Sequence, residues 1–145
     1  MQRRNRITIL SVLLMLAAGS EPVSSQVTQR LAGAIGIDQR YGSGYLDLKP
    51  TVSFHAGDHL RIHVGGSAAK VVVRLLPKGV SPDSPSIIVR EAQIVPPGRI
   101  FEVVLVQDYP DIVQISVHGG PNPWNLYPLG AGNGAAELLS VERSR

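Results

Sequence analysis

From Gly44 onward, apolar and polar residues alternate in short runs, the period-2 signature of strands with one buried face and one solvated face. In Leu60-Arg61-Ile62-His63-Val64 the three aliphatic residues point one way, and Arg61 and His63 the other. The run Arg99 to Val106 sets Phe101, Val103 and Leu105 together, opposite Glu102 and Val104. Ile112 to His118 does the same with Val113, Ile115 and Val117. Lys70 to Leu76 alternates less cleanly and predicts a strand covered on both faces over part of its length. Ser86 to Arg90 is short and β-branched, and Gly44–Leu48, Val52–Phe54 and Glu137–Val141 are weaker candidates. Turn-forming clusters separate these runs, among them Ala56-Gly57-Asp58, Gly65-Gly66-Ser67, Pro77-Lys78-Gly79 and Pro96-Pro97-Gly98. Regular spacing of strands and turns without a long helical period predicts an all-β fold. The expected architecture is a single antiparallel β-sandwich of seven or eight short strands over residues 44–142.

The chain ahead of this region follows a different pattern. Arg3, Arg4 and Arg6 precede an uncharged apolar stretch, Ile7 to Ala18, and small residues follow at Gly19 and Ser20. That order matches a cleavable signal peptide over residues 1–25, hence an exported protein, periplasmic or extracellular. The apolar stretch is too short for a spanning helix, which needs roughly 20 residues, so membrane contact is expected only through an uncleaved leader. Residues 26–43 read as a flexible lead-in. A short helix near Gln29-Arg30-Leu31-Ala32 is weakened by Gly33 and Gly36.

Composition changes the picture in two respects. The chain has 145 residues and no cysteine, so disulfides, thiolate ligands and a cysteine nucleophile are excluded. The pI near 9.6 reflects the leader. Of the 14 Lys and Arg, three precede Ile7, and all 11 Asp and Glu lie at or beyond Glu21, so cleavage before Glu21 leaves 11 of each sign. The remaining basic residues are scattered singly, which does not predict a nucleic-acid partner.

Candidate chemistry is sparse. His55, His59 and His63 have helical ligand spacing, but they straddle a turn and a strand. Four strand residues span roughly 13 Å, too far for shared metal ligation with bonds of about 2 Å. Asp108 and Asp111 flank Tyr109-Pro110 and offer two carboxylates where calcium takes about six to eight oxygens. They read as a turn between strands. No G-x-S-x-G elbow occurs, and Gly130-Ala131-Gly132-Asn133-Gly134 lacks the Lys-Ser/Thr ending of a phosphate loop. No catalytic residue, metal or cofactor is assigned. The unusual segment is residues 118–130, which hold the only Trp, one of four Tyr, two Asn and three Pro. Proline restricts the backbone, so a shaped loop presents Trp124 and Tyr127 beside the amides of Asn122 and Asn125. Such a loop suits stacking on a sugar or gripping an extended peptide; the competing reading has both rings plugging one end of the sandwich.

Phe54-His55-Ala56-Gly57-Asp58-His59-Leu60-Arg61-Ile62, followed by Val71 to Gly79, resembles the opening hairpin of exported bacterial β-sandwich accessory domains of the pre-peptidase C-terminal type. The resemblance covers about 25 residues and implies a β-sandwich. The acidic residues of that family's following strand are absent, with Lys70 and Arg74 flanking the run instead, and no functional residue carries across. Taken together, the sequence predicts an exported, noncatalytic β-sandwich module that binds a protein or carbohydrate partner through the 118–130 loop. A structural or assembly component of the cell envelope, pairing through a sheet edge, is the first alternative, and a small hydrolase is the second.

Overall fold

A computed structural model describes residues 27–84, 87–92, 99–121 and 131–145. Alternation of aliphatic and polar side chains produces nine strands among these residues. They are β1 (Thr28–Arg30), β2 (Gly33–Asp38), β3 (Ser43–Phe54), β4 (His59–Gly66), β5 (Val71–Pro77), β6 (Ile87–Ala92), β7 (Ile100–Val104), β8 (Tyr109–His118) and β9 (Ala136–Ser144). Every pairing is antiparallel. One sheet has the order β1-β9-β4-β7 and the other β2-β3-β8-β5-β6. No α-helix occurs among the described residues, where a single 3-10 turn spans Ala131–Asn133. None of their helices is long and apolar enough to cross a membrane. The fold is thus the all-β antiparallel sandwich that the period-2 pattern predicts.

The core lies where the inner faces of the two sheets meet. Leu60, Ile62 and Val64 of β4, Phe101 and Val103 of β7, and Leu138 and Val141 of β9 come from one sheet. Leu46, Leu48 and Phe54 of β3, Val71, Val73 and Leu75 of β5, and Ile115 and Val117 of β8 come from the other. Each large aliphatic or aromatic side chain so buried contributes about 1.5–3 kcal/mol, which lets a domain without disulfides hold together. The turn between β3 and β4 is closed by its aspartate. Asp58 Oδ2 accepts from the His55 amide at 2.9 Å, Asp58 N donates to His55 O at 3.0 Å, and Gly57 supplies the positive φ of 90°.

Four expectations need correction. The lead-in is strand rather than flexible chain or helix, since Thr28–Arg30 pairs with Glu142–Ser144 and Gly33–Asp38 pairs with Ser43–Leu48. Leu31 is buried between these two strands, where the chain passes from one sheet to the other. The two weak candidates at 44–48 and 52–54 are one strand, β3, and with β1 and β2 added the described residues form nine strands. Val113 leaves the core face, because β8 carries an extra residue between Gln114, opposite Leu76, and Ile112, opposite Pro77. Residues 108–111 are no free-standing turn: β8 begins at Tyr109, and Asp111 adopts φ 51° inside it.

Candidate functional site

Polar side chains collect on the outer face of the five-stranded sheet. Pairing places Tyr45, Ser116 and Arg74 in one row across β3, β8 and β5. Ser43 and His118 share the row on one side of it, and Asp47 and Gln114 the row on the other. Because Ile115 and Val117 face the core, the alternate residues of β8 must face outward. Yet Ser116 and His118 are buried, and so are Val72, Arg74 and Leu76 on the matching face of β5. This second covered face is the one that the irregular Lys70–Leu76 pattern predicts.

Arg74 is only 3% exposed. Its Nη1 donates to the carbonyl of Pro82 at 2.6 Å and so ties the β5–β6 connection over the sheet. Burial lowers its pKa, with Asp83 opposing that shift. Ser116 Oγ and His118 Nε2 share a hydrogen bond of 2.8 Å. Burial, assisted by the positive charge of Arg74 and opposed by Asp38, pushes the His118 pKa down to about 4. The imidazole is therefore neutral at pH 7. Asp47 Oδ1 accepts from Gln114 Nε2 at 2.8 Å and orients that amide.

The β2–β3 turn supplies the rim. Asp38 and Arg40 form an ion pair at 3.2 Å, and the hydrogen bond from the Arg40 side chain lowers the Asp38 pKa. The Arg40 guanidinium also stands 5.1 Å from the centre of the Tyr41 ring. The Tyr45 ring lies across Gly36, where a Cβ would come within 2.3 Å of Tyr45 Cζ and Oη, so a larger residue there would displace the ring. Together these groups enclose a cavity of about 140 Å³, roofed at one side by Pro82 and Asp83.

β8 runs from this cavity directly into the segment carrying Trp124. Both ends of that segment are anchored. Gly119 N donates to Gly42 O at 3.1 Å, and Asn133 Nδ2 donates to the carbonyls of Gly119 and Lys70. Asn122, Trp124, Asn125 and Tyr127 themselves lie outside the described residues, as does the leader at residues 1–25.

The histidine series is dispersed. His59 and His63 sit on the outer face of β4, while His55 lies in the preceding turn with Nδ1 3.9 Å from Asp108 Oδ1. Asp108 Oδ1 also accepts from the Ala56 amide at 2.9 Å, which pins the neighbouring turn. Among the described residues no three His, Cys, Asp or Glu gather as a metal site. Sequence reasoning passed over Arg74, Ser116 and Gln114. The available signal was a lone arginine inside an aliphatic strand, which a covered second face requires to be held by a partner. Comparison with protein-family models, curated proteins and solved structures finds no match to this chain.

Proposed function

We propose that this chain is an exported, noncatalytic binding module that holds a protein or carbohydrate partner through the 118–130 loop together with the adjoining outer-face cavity. The observation that carries this reading is the cavity itself: oriented polar groups on three strands, among them His118, the last residue of β8 and the first of the 118–130 segment. Export rests on the leader pattern of residues 1–25. The resemblance of residues 54–79 to exported accessory domains is in keeping with it.

A hydrolase reading of Ser116 and His118 is less well supported. A serine base needs a pKa near the working pH, whereas His118 is pushed down to about 4 by burial and by Arg74. Proton transfer from a serine hydroxyl would create a second cation beside Arg74. Edge pairing in an envelope assembly is the second reading, and one observation favours it. β2 borders the five-stranded sheet and exposes Ile35 and Ile37 at 52% and 56%, without a lysine or proline to block pairing.

Retention of the exported protein on cellulose, chitin or peptidoglycan, and cross-linking to envelope proteins, test the module. Trp124→Ala and Tyr127→Ala are expected to weaken retention by at least about tenfold while the melting temperature stays within a few degrees. Retention equal to the parent chain in both variants defeats binding through the loop. A fall in stability of about 3–5 kcal/mol for Trp124→Ala shows a packed plug instead.

A further inference from the structure

We propose that the outer-face cavity between the β2–β3 turn and β5 is a subsite for one uncharged sugar ring. This names the ligand class of the binding reading above and rests on it. Size is the first argument: an engineered cavity of about 150 Å³ admits a single six-membered ring. The present cavity, at about 140 Å³ and open on one side, takes one ring with its substituents directed outward.

Charge is the second. Asp38 and Arg40 stand at the rim as an ion pair, and Arg74 lies within the electrostatic reach of Asp83. An anion entering the cavity meets Asp38 and Asp83, and a cation meets Arg40 and Arg74. A neutral ring with several hydroxyls is served by both signs, donating to the carboxylates and accepting from the guanidinium groups. An aliphatic or aromatic guest, by contrast, would desolvate the solvated Asp38–Arg40 pair at the rim without replacing its hydrogen bonds with water.

The polar groups are also held in place before any ligand arrives. Ser116 is bonded to His118, Gln114 to Asp47, and Arg74 to the Pro82 carbonyl. Preorganisation of this kind lowers the ordering cost of binding a small hydroxylated guest. Tyr41 and Tyr45 supply aromatic surface at the wall for the C–H face of a ring.

The test is titration of the full chain, read from the amide resonances of Ser43 to Tyr45 and Gln114 to His118. The probes are the methyl glycosides of glucose, galactose and mannose, with N-acetylglucosamine, glucuronate and glucosamine. At least one neutral probe is expected to saturate, at a dissociation constant on the order of 1–10 mM. Glucuronate and glucosamine are expected to bind at least about tenfold more weakly than the best neutral probe. Asp38→Asn, on the rim, and Gln114→Ala, on the floor, are each expected to weaken that probe at least fivefold, roughly 1 kcal/mol or more. The idea is overturned by three results. These are no shift at about 100 mM of any neutral probe, tightest binding by a charged probe, or full affinity in both variants. If these amides stay silent while Trp124→Ala still abolishes retention on an envelope protein or polysaccharide, the sugar subsite falls and the binding module stands. If both readouts fail, both readings fall.

Discussion

At the scale of single residues, His118 is where burial and charge have their clearest consequence. Its folded pKa is about 4, below the ordinary 6.5, because burial and Arg74 disfavour the imidazolium. The unfolded chain therefore binds the proton more readily than the native one between those values. The stability that the neutral ring contributes is present in full above about pH 6.5 and is lost as the pH falls to about 4, an effect on the order of 3 kcal/mol. Urea unfolding across that window is expected to show a steeper decline for the parent chain than for His118→Gln. Parallel curves for the two would show that His118 is solvated. The sequence placed His118 at the end of the 112–118 strand and the start of an aromatic loop. Its pairing with Ser116 is legible in the i, i+2 spacing, but its closeness to Arg74 is not, because that contact crosses from β8 to β5.

Among the elements, β5 shows how a strand pattern encodes two covered faces. Val71, Val73 and Leu75 enter the core, and Val72, Arg74 and Leu76 are buried on the reverse side. The near-continuous aliphatic run announced this double burial without saying what lay on the second face. There Arg74 holds Pro82, and the connection is further closed by Val80 N donating to Pro77 O and Ser84 N donating to Ser81 O. Arg74→Ala removes the donor to a partly buried carbonyl and is expected to cost about 1–3 kcal/mol. The amides of Val80 and Ser84 should exchange faster with solvent, while those of β4 and β9 keep their protection relative to global unfolding. Unchanged exchange at Val80 and Ser84 would mean that Arg74 does not hold this connection. β9 teaches the opposite lesson. Its alternation is weak in the sequence, yet it lies inside its sheet between β1 and β4. Gly44 lets it approach β3, since a Cβ there would stand 2.4 Å from the Leu138 nitrogen.

For the whole molecule, these placements make the fold depend on contacts between distant parts of the chain. β1 pairs with β9 in a register that sets Thr28 opposite Ser144, and β4 pairs with both β7 and β9. A chain ending at Gly134 loses Leu138 and Val141 from the core and leaves β1 and β4 without their shared partner. Such a chain is expected to be unfolded by circular dichroism and one-dimensional NMR. A dispersed native-like spectrum would show that β9 is dispensable. The sequence by itself determined the class of structure: period-2 alternation at 60–64, 99–106 and 112–118, with glycine and proline between the runs, is local information, and it specifies strands, turns and inward-facing residues. It also placed an arginine within the 70–76 run. Only the tertiary structure decided that residues 28–38 are strands, because Thr28-Gln29-Arg30 and Gly33 to Asp38 have little strand preference of their own and are ordered by pairing with residues 142–144 and 43–48. It alone brought Arg74, Ser116 and His118 together, since sheet order, set by how two hydrophobic faces close on one another, determines which outward residues become neighbours.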